Sequence, residues 1–295
     1  MNQRTICKPV SVYGTGIHTG QLVNIRLLPA NQDTGIYFVR QNSERVKADY
    51  CNIHQTKLAT TLMDNGAIVR TVEHFLAAAF GLGITNLTVE MDAEELPILD
   101  GSSKVWIESI NSAGIIDQSA TGKEIVIKKI IELHNPEKQT WIKIAPSDIF
   151  EITYHFKLPN GKFQTFDYNF DFQTFQHDIA PARTFCLLSE FERMAQQGFI
   201  KGAAATTGFI LMDGRPSEEL LLLLKPYTIA DDAVMLSAES PRFSNEAVRH
   251  KILDIIGDLA LTGGMIRGRL EAYGTGHADN VELVRGIMKE ADVCF

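Results

Sequence analysis

The chain has 295 residues, 45% of them hydrophobic and 22% charged, with a formal net charge of −8. That length is more than one hydrophobic core usually serves, so two domains are expected. An acidic balance without any Lys/Arg block offers no electrostatic footing for nucleic acid.

No apolar run is long enough to span a bilayer, "ELLLLLKPY" at 219–227 being far too short. The opening "MNQRTICKPVSVYG" lacks the apolar core of a signal peptide. Four cysteines, at 7, 51, 186 and 294, form no CxxC pair and suit reduced thiols. A soluble, cytoplasmic protein is expected.

In chain order, "TICKPVSVY" (5–13) and "VNIRLLP" (23–29) alternate as strands, and "ATTLMDNGAIVR" (59–70) reads as a hairpin turning at Asn65-Gly66. A helix follows in "TVEHFLAAAFGLG" (71–83), with Thr71 expected as its N-cap and Gly81 or Gly83 as its end. The strand "NLTVEMD" (86–92) and the helix "SKVWIESINSAG" (103–114) complete this unit.

The second half restarts with strands "EIVIKKIIEL" (124–133), "TWIKIAP" (140–146) and "FEITYHF" (150–156). "LLSEFERMAQQGFI" (187–200) has the pattern of an amphipathic helix and "GFILMDG" (208–214) that of a strand and turn. From Ser217 to Asn245, apolar runs are interrupted by Pro226, Asp231-Asp232 and Pro241 without a clear period. The half closes with the helix "NEAVRHKILDIIGDLALTGG" (245–264), the strand "IRGRLEAY" (266–273) and the helix "HADNVELVRGIMKE" (277–290).

Both halves thus end helix–strand–helix after a run of strands, and both first helices carry an early histidine, His74 and His250. The order of elements repeats although identities do not, which indicates two α+β domains of duplicated topology. We expect them at 1–120 and 121–295, the second with an insert at about 186–245.

The helix at 245–264 raises a chemical question. His250, Asp254 and Asp258 stand at i, i+4 and i+8 on one side, between residues apolar enough to be buried nearly all round. Such a stripe can be a capping bond, an ion pair or a solvated face, but apolar flanks fit a solvated face poorly. A buried carboxylate needs a positive partner. His250 and Asp254 can converge on one ion, and His74 of "TVEHF" would supply a third nitrogen or oxygen ligand with a position left for water, the arrangement of a catalytic zinc site.

Glu73, beside that ligand, is a candidate base for water, or else a first-turn acid favoured by the helix dipole. Asp258 would orient its neighbours or form an ordinary buried ion pair, and His277 is its candidate partner after the glycines of "YGTGHADN". "GTGIHTG" (14–20) lacks the spacing of a dinucleotide fingerprint and is expected to be a tight turn, with His18 near the site.

Together these motifs resemble one family, the zinc-dependent deacetylases acting on UDP-3-O-acyl-N-acetylglucosamine in lipid A biosynthesis. The resemblance rests on "GTGIHTG" (14–20), "TVEH" (71–74), "LPILDGS" (96–102), "ARTF" (182–185), "RHKILDIIGD" (249–258) and "GH" (276–277), in order over nearly the whole chain. It implies two α+β domains with facing helix layers, a Zn2+ ion (or Fe2+) between them, and one insert per domain. One insert would border the active site and the other would form a passage for the acyl chain.

By the family pattern His74, His250 and Asp254 are the metal ligands and Glu73 the general base. Thr184 and His277, the latter kept protonated by Asp258, would face the oxyanion. Lys251 would contact the nucleotide diphosphate and Phe185 the sugar. A monomer that serves the Gram-negative outer membrane is expected. The alternative is a diverged relative that acts on another nucleotide-sugar or binds one without turnover. The chain departs from the family at "KGAAATTG", at "SNEAVRHK" and in an expanded 213–245 region, and Ala59 stands where many relatives have Cys.

Overall fold

The computed structural model describes residues 1–40, 44–204, 206–216, 228–229, 235–237, 239–290 and 292–294. The "ELLLLLKPY" run and most of 217–234 lie outside the described residues.

Each half is built on the same strand path. In the first, Val10–Thr15 pairs with Leu22–Pro29, which pairs with Leu87–Met91, then Ile36–Arg40 and Arg45–Lys47. In the second, Ile131–Asn135 pairs with Thr140–Ala145, which pairs with Met265–Tyr273, then Phe150–Lys157 and Phe163–Asn169. In both, the central strand comes last in sequence and runs antiparallel to one neighbour and parallel to the other. The duplicated α+β topology expected from element order therefore holds at the level of strand pairing.

Above each sheet lie the helices: Glu73–Gly81 and Lys104–Ala113 in the first half, Glu246–Leu259 and His277–Glu290 in the second. All nine residues of Glu73–Gly81 are buried, as a helix apolar on every side must be at the centre of a molecule. It packs directly on Glu246–Leu259, so the two helix layers face each other. At the crossing stands Gly257, where a Cβ would lie 2.2 Å from the Glu73 carbonyl oxygen. Phe75 anchors the helix edge to face with Phe38 and Trp106, its ring centroid 5.8 and 5.2 Å from theirs. Among the described residues no helix is long and apolar enough to cross a membrane.

Each half carries an additional small sheet. Ile53–Gln55, Thr61–Asp64 and Ala67–Val69 form the first, and Asn65 and Gly66 take φ of 47° and 87° as a tight hairpin turn requires. The second contains Phe185–Leu187, Phe209–Leu211, Met235–Ser237 and Thr228–Ile229 in that spatial order, with the helix Leu188–Gln196 beside it.

Several elements differ from the sequence reading. "TICKPVSVY" is two strands, Asn2–Ile6 and Val10–Thr15, broken around Pro9, which has no N–H to continue a ladder. "EIVIKKIIEL" also divides, into Glu124–Val126 and Ile131–Asn135. The first piece pairs with residues 265–267 and the second sits at the sheet edge beyond Thr140–Ala145, so the chain must leave the sheet line between them. Strand Phe163–Asn169 and helix Phe172–Asp178 were not anticipated.

Thr71 is not the N-cap. It takes φ of 58°, unusual for a β-branched residue, and its hydroxyl donates to Glu95 at 3.1 Å. Val72 occupies the cap position, its N–H donating to the Thr60 carbonyl.

One ion pair joins the second small sheet to the long helix. Arg183 and Glu246 are both fully buried, with Nε to Oε1 at 2.9 Å and Nη2 to Oε2 at 3.2 Å. Removing one partner of such a pair strands the other, which typically costs about 3–5 kcal/mol. Glu246→Ala is therefore expected to lower unfolding free energy in urea by about that amount. Gly257→Ala should force the two helices apart, an overpacking cost of about 1–3 kcal/mol readable in the same experiment.

Candidate metal centre

His74 enters from the first turn of Glu73–Gly81, while His250 and Asp254 project from one face of Glu246–Leu259. The Nε2 atoms of His74 and His250 lie 3.8 and 3.2 Å from Asp254 Oδ1, and the two rings meet edge to face with centroids 5.0 Å apart. One donor atom from each residue falls within 4.8 Å of the other two.

That Oδ1 is buried and makes no hydrogen bond. A buried carboxylate oxygen left unpaired is costly, and here it faces two imidazole nitrogens. A tetrahedral ion with bonds of about 2.0–2.2 Å spaces its donors roughly 3.3–3.6 Å apart, so the set fits one small divalent cation.

The surroundings prepare these donors. His250 donates Nδ1–H to the Ala182 carbonyl at 3.0 Å, which leaves the Nε2 lone pair for a metal. Burial, reinforced by His250, pushes His74 down to about 3 against the pull of Asp254, so its ring is neutral. Burial alone would raise the Asp254 carboxyl, but His250 and Lys251 outweigh it and hold it well below its ordinary value. Its other oxygen, Oδ2, takes the Lys251 ammonium at 3.1 Å.

A second cluster borders the first. Asp258 Oδ2 accepts from His277 Nδ1 and Asn280 Nδ2, both at 2.9 Å, and Oδ1 accepts from the Thr60 hydroxyl at 2.6 Å. The far nitrogen of His277, Nε2, lies 3.7 Å from Glu73 Oε1. The Thr60 N–H donates to Glu73 Oε2 at 3.0 Å.

Burial raises the Glu73 carboxyl to about 7 even though His277 draws it down. For His277 the balance is opposite: burial disfavours the cation, but Asp258 and then Glu73 outweigh it and hold the ring up to about 10. The environment therefore separates an acid–base group poised near neutrality from a fixed cation.

A cavity of about 620 Å³ opens over both clusters, lined by Glu73, His74, His250, Lys251, Asp254 and His277 at one end. Thr184 and Phe185 line it too, Phe185 stacked on Phe209 with centroids 5.4 Å apart and touching His250 edge-on at 6.2 Å. Apolar side chains of the second small sheet and its helix, including Leu187, Phe191, Met194 and Ile210, continue the wall. All nine site residues singled out in the sequence thus meet at this place, eight lining the cavity and Asp258 directly behind it.

Sequence reasoning missed Thr60 and Asn280, both buried, whose partners are brought near only by folding. It also missed Glu95, which explains "GTGIHTG". The buried Glu95 carboxylate accepts from the backbone N–H groups of His18 and Thr19 at 3.0 and 2.8 Å, and from the Thr19 hydroxyl at 2.7 Å. The motif is a loop clamped around a carboxylate, and His18 lines the cavity as expected.

Two α+β halves of one topology, with two imidazoles and a carboxylate gathered where their helices meet, define a two-domain α+β protein with a candidate mononuclear metal site. The chain belongs to the UDP-3-O-acyl N-acetylglycosamine deacetylase family, whose profile matches residues 3–223 and 222–289.

Among similar proteins, the UDP-3-O-acyl-N-acetylglucosamine deacetylase of Myxococcus xanthus (strain DK1622) is 38% identical over 296 residues, covering 98% of this chain and 87% of that protein. That of Brucella melitensis biotype 2 is 36% identical over 293 residues, covering 98% and 96%. The bifunctional enzyme LpxC/FabZ of Chlorobaculum tepidum is 36% identical over 305 residues; the match takes 99% of this chain but 65% of that longer protein.

The His277–Asp258 pair makes a titration prediction. With the folded value raised to about 10, the ring remains an imidazolium through neutral pH in the metal-free protein. The stability this contributes is complete below the ordinary histidine range, about 6.5, and is lost as pH rises through about 10. Nitrogen-15 spectra should therefore show His277 still protonated at pH 8, and Asp258→Asn should bring its titration down.

Proposed function

We propose that this chain is a metal-dependent amidohydrolase that removes the N-acetyl group of UDP-3-O-acyl-N-acetylglucosamine, releasing acetate, in lipid A biosynthesis. The observation that carries the reading is the convergence of His74, His250 and Asp254 with the Glu73–His277 pair on one cavity. The matched family and the names of its relatives support the substrate.

Zn2+ is the ion we assign to the three ligands, with Fe2+ the alternative that the same nitrogen and oxygen donors admit; bound there, it supplies Lewis-acid activation of water and of the amide carbonyl. The remaining chemistry belongs to side chains.

Glu73, raised to about 7, is matched to taking a proton from water at neutral pH and passing it to the departing amine. Its Oε2 is fixed by the Thr60 N–H, which leaves Oε1 toward His277. Against burial, Asp258 and then Glu73 favour the protonated form of His277, which suits it to face the developing oxyanion as a cation. The Thr184 hydroxyl is the second oxyanion donor; losing such a donor typically costs about 10²–10³ in kcat.

Lys251 steadies Asp254 and offers positive charge to the diphosphate, while Phe185 provides a ring face edge for the sugar. The apolar end of the cavity is the place for the 3-O-acyl chain.

The test is amine release from the UDP-acyl-sugar by the purified protein. We expect activity abolished by chelator and restored by Zn2+. Glu73→Ala should lose about 10²–10⁴-fold in kcat while retaining its metal. Metal-loaded protein that releases no amine from this substrate would overturn the assignment.

A further inference from the structure

Thr60 lies on the loop before strand Thr61–Asp64 in the first half, fully buried, and every polar group it has is spent on the acid–base machinery. Its carbonyl accepts from the Val72 N–H at the cap of the Glu73 helix, at 3.3 Å. Its N–H donates to Glu73 Oε2 at 3.0 Å. Its hydroxyl crosses to the other half of the molecule and donates to Asp258 Oδ1 at 2.6 Å. The opposite oxygen of that carboxylate holds His277.

We infer that Thr60 is a positioning residue for deacetylation, tying the base Glu73 and the Asp258–His277 pair to one rigid point across the two halves. This rests on the function proposed above.

The geometry separates its two tasks. The backbone bonds hold Glu73 whatever the side chain at 60. The hydroxyl holds the Oδ1 side of the Asp258 carboxylate and so resists its rotation about the stem. Asn280 constrains the same Oδ2 that receives His277, and without the Thr60 bond Oδ1 has no other donor among the described residues. Rotation of this carboxylate would swing the His277 ring, whose Nε2 is 3.7 Å from Glu73. The hydrogen bonds of Thr60 go to Glu73, Asp258 and Val72, none of which is a metal donor.

Thr60→Val is nearly isosteric and deletes only the hydroxyl; Thr60→Ser keeps it. In the metal-loaded enzyme we expect Thr60→Val to lower kcat by about 10–100-fold, the usual range for an orienting partner. KM and metal content should stay unchanged, and Thr60→Ser should recover most of the rate. In an Asp258→Ala background Thr60→Val should add no further loss, because the hydroxyl acts through that carboxylate.

A thermal melt of each variant separates folding from positioning. Independently of turnover, the downfield proton resonance of His277 Nδ1–H should shift in Thr60→Val and return in Thr60→Ser. If the wild-type chain shows no deacetylation, the proposed function fails, and this resonance still decides the role of Thr60. A folded Thr60→Val enzyme with wild-type kcat, an unmoved His277 resonance, or a loss that multiplies with Asp258→Ala would overturn the inference.

Discussion

The close crossing of helices Glu73–Gly81 and Glu246–Leu259 is the constraint on which the site depends. Gly257 lets the second helix touch the backbone of the first at Glu73 itself, so the residue proposed as base sits where the two layers meet backbone to backbone. With a bulkier residue there, His74 would move away from the His250–Asp254 pair. Helix axes pack about 8–10 Å apart depending on the side chains at the contact, and a glycine at the crossing favours the close end of that range.

From that contact the polar groups divide by environment. Two carboxylates sit one helical turn apart on the same face, yet each has a different set of neighbours. Asp254 turns one oxygen to Lys251 and the other to two imidazoles. Asp258 receives three hydrogen bonds, one of them from the cationic ring of His277. Glu73 lacks a comparable partner: burial prevails, and its carboxyl rises while His277 is held protonated. Burial penalises every one of these charges, and the difference between them comes from who stands within hydrogen-bonding reach.

How much of this was legible in the sequence follows from the range of the interactions involved. The His250–Asp254–Asp258 stripe and the Glu73–His74 pair are local patterns fixed by helical periodicity, and the helix–strand–helix order of each half could be read the same way. The resemblance to a known family then joined motifs that spacing alone could not. Thr60 and Asn280 stayed hidden because a Thr in a hairpin and an Asn in a helix are unremarkable until Asp258, 198 positions from Thr60, is brought beside them. Thr71 was misread because a helix-capping residue type was recruited by the buried Glu95 instead. The Arg183–Glu246 pair, 63 positions apart, had no local signature at all. Much of the 213–245 region, read in the sequence as expanded, lies outside the described residues.

The donor set is divided between the halves, one imidazole from the first and an imidazole and a carboxylate from the second. Any cation shared by these three atoms acts as a rivet between the halves, since neither half alone presents more than two of them. Its binding energy then becomes cohesion of the whole molecule: at a free-ion concentration a hundred times the dissociation constant, the gain is about 2.7 kcal/mol. Scarcity of the ion would thereby shorten the protein's lifetime as well as silence its chemistry, coupling its abundance to the metal supply.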